Sequence, residues 1–291
     1  MSAREPIGVA GTGRMAQALG RLLAEAGEPV AAIAGRDAGR TAAAAVFIGH
    51  GAEAIALDAL PSRARRILVA VSDDAVSEVA LRMARAGMHS GVSLHTCGAR
   101  GVEALAPLAE AGVSCGVLHP LQTVAGAEQG ATALRGSWFA VSGDDEAAAW
   151  GRQICALAGG KPLRIDPDRM PLYHAAAVMA SNYVTGLLDA AVMLMRTAGV
   201  GERTALDALG PLVRVGVENT LASGAANALT GPICRGDVET VRRHLASLAD
   251  APRPVRALYR SAGLYVLELA RRSGLAAPQA REIEALLREG Q

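Results

Sequence analysis

From Ile7 to about Ile165 the chain alternates short apolar runs with longer Ala- and Leu-rich stretches whose apolar positions recur at helical spacing. The runs Ile7 to Ala10, Val30 to Ala34, Ile67 to Val71, Gly91 to His95, Val113 to Leu118, Ser137 to Val141 and Leu163 to Ile165 read as strands, with a weaker one at Ala54 to Leu57. That rhythm predicts βαβ units and a mainly parallel, doubly wound sheet. After Pro167 the strand signal disappears. Tyr173 to Thr197, Arg203 to Ser223, Asp237 to Leu248 and Val255 to Arg272 read as helices, punctuated by Gly199, Gly210-Pro211, Gly231-Pro232 and Pro252 to Pro254. The pattern predicts an α/β domain over residues 1–166 followed by an all-α domain over residues 167–291.

The first strand runs directly into Gly11-Thr12-Gly13-Arg14-Met15-Ala16, which opens a helix. This is G-x-G-x-x-A between a strand and a helix, the setting in which it binds a dinucleotide. The first glycine makes the tight turn, the second admits a pyrophosphate, the alanine lets helix and strand pack closely, and free N–H groups at the helix start receive the anion. The six residues Gly11 to Ala16 are therefore expected to hold a cofactor. At the end of the second strand, where NAD enzymes place an acid against the ribose, stands Gly35-Arg36-Asp37. Arg36, with Arg40 one turn on, suits a 2′-phosphate and selects NADP(H), unless Arg36 is an ordinary surface residue beside an Asp37 helix cap.

Ligands of open α/β sheets bind at the carboxyl ends of the strands, so the loops there matter most. Ser72-Asp73-Asp74 follows one strand, and His95-Thr96-Cys97-Gly98 and His119-Pro120-Leu121-Gln122-Thr123 follow two others. Ser72, Asp73, Thr96 and Cys97 are expected along the cofactor; the aspartates also read as a cap for the helix Ala75 to Arg85. His95 and Gln122 are expected at the substrate, and His119 either touches nicotinamide or substrate as a proton donor or is hydrogen-bonded structure.

In the helical half, His174 and Ser181 lie seven residues apart on one helix face with Asn182 beside them, so all three are expected to be catalytic, a satisfied core histidine and a bridging Asn being the alternative. Arg235, in the loop Leu229 to Asp237, has no capping role to explain it, and either clamps a substrate carboxylate or forms a surface ion pair.

Composition narrows the chemistry. The 291 residues carry 29 basic and 28 acidic side chains, without a basic stripe, which argues against a nucleic-acid partner. Four cysteines lack metal-site spacing and read as buried thiols, so no metal is expected. No signal segment and no run of uninterrupted apolar residues long enough for a membrane is seen, and the expected location is cytoplasmic. Lys161 is the single lysine, so lysine catalysis has one place to come from.

Together GxGRMA at Gly11 to Ala16, SDDAV at Ser72 to Val76, HPLQT at His119 to Thr123, YHAAAVMASN at Tyr173 to Asn182 and LTGPICRGD at Leu229 to Asp237 resemble a family of Rossmann-like proteins followed by a helical domain of unknown function. The family looks like a relative of ketopantoate reductases, pyrroline-5-carboxylate reductases and β-hydroxyacid dehydrogenases. That resemblance implies NADP(H), a cleft between the domains and a homodimer. Ketopantoate reductases and β-hydroxyacid dehydrogenases carry a catalytic lysine in the first long helix after the Rossmann domain, where this chain has none; His174 stands nearest to that role. The expected reaction is hydride transfer from NADPH to the C=O or C=N of a small, carboxylate-bearing substrate. Reduction of a 2-oxo acid is favoured, with a cyclic imine, a non-catalytic NADP(H) sensor or an assembly module as the alternatives.

Overall fold

A computed structural model describes residues 4 to 289. The chain divides at Ser181/Asn182 into two compact units, each with its own core. In the first, β1 (Ile7–Ala10), β2 (Val30–Ala34), β3 (Glu53–Ile55), β4 (Arg66–Val69), β5 (Val92–His95), β6 (Ser114–Pro120), β7 (Trp138–Gly143) and β8 (Lys161–Leu163) form one sheet in the order β3-β2-β1-β4-β5-β6-β7-β8. Every neighbouring pair is parallel except β6 with β7. The order 3-2-1-4-5-6 is that of a doubly wound Rossmann sheet, and it reverses direction between β1 and β4.

The helices of this unit are α1 (Arg14–Glu25), α2 (Ala38–Ile48), α3 (Leu60–Arg63), α4 (Val76–Arg85), α5 (Ala106–Glu110), α6 (Ala127–Ala133), α7 (Asp145–Leu157) and α8 (Met170–Ala180). They cover both faces, which is why β1, β4 and β5 are almost continuously buried. Leu19, Leu22 and Leu23 of α1 share one core with Phe139, Trp150 and Ile154. Leu60, Val76, Met83, Leu105 and Leu108 fill the other.

The second unit is all helical: α9 (Asn182–Thr197), α10 (Glu202–Ser223), α11 (Ala225–Ala228), α12 (Pro232–Arg235), α13 (Val238–Ser247), α14 (Arg253–Arg272) and α15 (Ala277–Arg288). Its core gathers Ile233, Val241, Leu267, Ile283 and Leu287. The sequence reading stops short of α15 and places one helix over Tyr173 to Thr197. The structure breaks that helix at Ser181, which has φ −124° and ψ −70°. The units also divide later than the expected 166/167 boundary, because α8 packs with the sheet: Met170 is fully buried and Tyr173 bonds to β6.

Candidate active site

Where the strand order reverses, β1 and β4 stay paired, and a cavity of about 570 Å³ opens at their carboxyl ends. Gly11, Thr12, Gly13, Arg14 and Met15 form one wall, Arg36 and Arg40 another, and Ser72 and Thr96 reach in from the loops after β4 and β5. Gly11 sits at φ 119°, and a Cβ there would lie 2.1 Å from the Ala70 carbonyl oxygen, so only glycine fits. A Cβ at Gly13 would meet nothing within 4 Å, so the backbone beside it stands open. Gly13 is also the N-cap of α1 and provides no capping side chain, leaving the helix's first N–H groups for a ligand. Gln17 donates to the Thr12 carbonyl at 2.9 Å and holds the turn. Ala16 is fully buried beneath it, a packing residue that does not line the cavity.

At the second strand's end Asp37 accepts from the Arg40 N–H at 2.7 Å and caps α2. That hydrogen bond accounts for Asp37, while the guanidinium groups of Arg36 and Arg40 make no ion pair or hydrogen bond with the described residues. Arg82, also in the wall, is bound bidentately to Asp58. The residues present thus fit a dinucleotide with a phosphorylated ribose: an open anion site at α1 and two arginines whose guanidinium groups make no hydrogen bond or ion pair among the described residues.

The capping expected of Asp73 and Asp74 is not what starts α4. Neither carboxylate caps that helix; a 3₁₀ turn over Asp73–Ala75 leads into it, with the Ala75 N–H bonded to the Ser72 carbonyl. The Asp73 carbonyl accepts from Arg100, tying this loop to the next, and its side chain lies outside the cavity wall. Cys97 is buried at 3% exposure and likewise stays out of the wall. Burial pushes its thiol up to about 11, so it is no nucleophile.

His95 is corrected from a substrate residue to a structural one. It is fully buried, its Nδ1 accepts from the Cys97 N–H at 3.2 Å, and its Nε2 therefore donates to the Gly101 carbonyl at 2.9 Å. Both nitrogens are spent on shaping the loop from Thr96 to Gly101. Gln122 is corrected in the same way: its amide donates to the Ala133 carbonyl and Ser137 Oγ and accepts from the Thr123 N–H, bracing the loop after β6.

His119 is different. Its Nδ1 lies 2.8 Å from the Tyr173 hydroxyl, and the two rings meet edge to face at 5.5 Å. His174 approaches from the same helix, 5.9 Å away between ring centroids. The two imidazoles converge on Gly98, where a Cβ would stand 2.6 Å from His119 Nε2 and 2.7 Å from His174 Cδ2. Gly98 is two residues beyond Thr96 of the cavity wall, at most about 7 Å of chain. Burial, with help from His174, pulls the His119 pKa down to about 4, and burial pushes Tyr173 up to about 12. Tyr173 and Gly98 escaped the sequence reading as site residues; the only signal was their adjacency to His174 and Cys97.

Ser181 turns its hydroxyl back to the Ala177 carbonyl at 2.9 Å, and the break there removes the continuous helix face on which the grouping with His174 rested. Asn182 opens α9 in the second unit. Arg235, exposed at the end of α12 in that unit, stands near Asp237, whose carboxylate caps α13 through Thr240 and is held below its ordinary pKa chiefly by that bond. Lys161 reaches over the Trp138 ring at 5.4 Å, at the β7–β8 edge. Among the described residues no cluster of His, Cys, Asp or Glu is arranged to hold a metal.

Residues 1–120 match the model of a Rossmann-like domain, and residues 137–266 that of a domain of unknown function, DUF2520. No curated protein matches the chain. Among solved structures, a Bacteroides fragilis protein named for an expected NADP oxidoreductase activity is 21% identical with a TM-score of 0.72, over 93% of this chain and 98% of that one. A reductive aminase from Aspergillus terreus, in complex with NADPH and ethyl-5-oxohexanoate, is 16% identical (TM-score 0.59; 98% and 93%). A pyrroline carboxylate reductase from Plasmodium falciparum with NADP bound is 13% identical (TM-score 0.60; 97% and 98%). At these identities the likeness is one of fold.

Proposed function

We propose that this protein is an NADPH-dependent reductase of small carbonyl or imine substrates, with reduction of a 2-oxo acid the first reading. The observation that carries it is the cavity at the β1/β4 switch point, where an uncapped helix start and the guanidinium groups of Arg36 and Arg40 line one space suited to an anionic ligand. Gly11 to Met15 hold the pyrophosphate, Arg36 and Arg40 the 2′-phosphate, and Ser72 and Thr96 flank the path toward Gly98. NADPH, when bound, supplies the hydride. The chain's part is to orient the substrate and to move a proton, and His119 and His174 over Gly98 are the groups placed for it. The structural neighbours with NADP(H) in their names support the coenzyme choice, and those named for imines keep C=N reduction as the second reading.

The test is NADPH consumption with 2-oxobutanoate and, separately, with a cyclic imine such as 2-methyl-1-pyrroline. Turnover of the oxo acid supports the first reading, and turnover of the imine alone favours the second. If neither is reduced by protein that binds NADPH, reduction of these substrate classes is wrong.

We also infer a homodimer built on the second unit. Only Ala205 of the 22 residues of α10 is buried, while Leu212 and Leu221 are 68% and 82% exposed. A groove of about 400 Å³ between α9 and α14, lined by Leu187, Leu194, Leu258 and Val266, is almost wholly apolar. Such a surface needs a cover. Although polar residues interrupt its apolar runs, the stretch Pro167–Thr197 also has the length and composition to cross a membrane. A second copy is the preferred cover, because the α9–α10 surface also carries Asp189, Arg203 and Asp207, which a bilayer would exclude.

A further inference from the structure

We infer that Tyr173 is the positioning residue for the proton step: it donates its hydroxyl hydrogen to His119 Nδ1, fixes the ring as the Nε2–H tautomer over Gly98, and replaces the proton that Nε2 gives away. The inference deepens the reductase reading and rests on it.

The geometry sets the direction. The hydroxyl and Nδ1 are 2.8 Å apart, and a phenol O–H is a better donor than a neutral imidazole N–H, while an imidazole nitrogen is the better acceptor. With Nδ1 occupied, the ring's proton must sit on Nε2. That nitrogen makes no hydrogen bond with any described residue, and it points at the space a side chain on residue 98 would fill. Glycine there keeps the donating edge clear.

Charge explains why a relay is needed. The groups around His119 are Tyr173, His174 and His95, with Asp73 in the loop after β4, and burial outweighs the single carboxylate. With its pKa pulled down to about 4 by burial, the His119 ring is neutral at pH 7. An imidazolium is therefore not the acid. NADPH, when bound, would supply the hydride, and the part of this chain is to bring a proton to the substrate oxygen as the C=O group is reduced. The developing alkoxide takes the Nε2 proton and Nδ1 takes the Tyr173 proton; the starting tautomer returns when water gives a proton to Nε2 and Nδ1 hands its own back to the half-buried phenolate. The ring stays neutral throughout, and the sum is carbonyl plus NADPH plus one proton giving alcohol plus NADP⁺.

The test is long-range proton–nitrogen NMR of the imidazoles in the ¹⁵N-labelled full chain, with His119 assigned by its loss in His119→Asn. The expected wild-type spectrum has His119 neutral at pH 7 with hydrogen on Nε2 and a hydrogen-bonded, bare Nδ1. Tyr173→Phe, which removes one oxygen, should shift that ring to a mixture of tautomers and lower kcat for 2-oxobutanoate about 10-fold with KM little changed. A His119 protonated on Nδ1, or a tautomer identical in Tyr173→Phe, overturns the inference. Failure of the reductase reading registers separately, as absence of NADPH binding by the wild type, while the NMR result still decides the tautomer.

Discussion

His95 and His119 end neighbouring parallel strands, yet their surroundings give them different work. Both nitrogens of His95 are satisfied inside the loop it shapes; His119 spends one on Tyr173 and keeps the other over Gly98. Burial lowers both pKa values, that of His119 to about 4. The unfolded chain, with histidines titrating near 6.5, therefore binds more protons than the folded one between about pH 6.5 and 4. Stability is fully present above that window and falls as pH drops through it. Thermal melts should show Tm declining from about pH 6.5 downward and a flatter decline in His119→Asn; an equal decline in both would contradict the shift. Gly98→Ala tests the crowding directly. Its methyl group would displace both imidazoles, so reductive turnover should fall about 10-fold or more, with NADPH affinity changed no more than about twofold.

Elements were legible in the sequence where one pattern decides them. β1 and β2 stand where the apolar runs put them, and the G-x-G-x-x-A turn opens α1 as its spacing requires. Long-range partners were not legible. The His119 to Tyr173 bond spans 54 residues, and nothing local to either tells that α8 would fold back on β6. Nor does an Asp before a helix announce whether it caps: Asp37 and Asp237 do, Asp73 and Asp74 do not, because a 3₁₀ turn satisfies the same backbone groups. Asp144 offers an element-scale test. It caps α7 at the Ala147 N–H and also accepts from the Cys115 N–H of β6. Asp144→Ala should cost about 2 kcal/mol in urea unfolding, more than a cap alone, because a strand N–H loses its partner too.

At the scale of the molecule, the sheet's switch point and the apolar second unit make separate claims. Light scattering at micromolar concentration should give twice the 29.7 kDa chain mass, and replacing Leu212 and Leu221 together by Asp should give monomer. A monomeric wild type would remove the dimer and leave the exposed faces of α9 and α10 to another partner. The central claim is the coenzyme, and titration with NADPH and NADH, followed by nicotinamide fluorescence, meets it most directly. NADPH is expected to bind tightly and NADH more weakly. Arg36→Ala should then lose about 10-fold toward NADPH alone, the scale of one charged hydrogen bond. Absence of binding by either nucleotide, or equal loss toward both in Arg36→Ala, would contradict it.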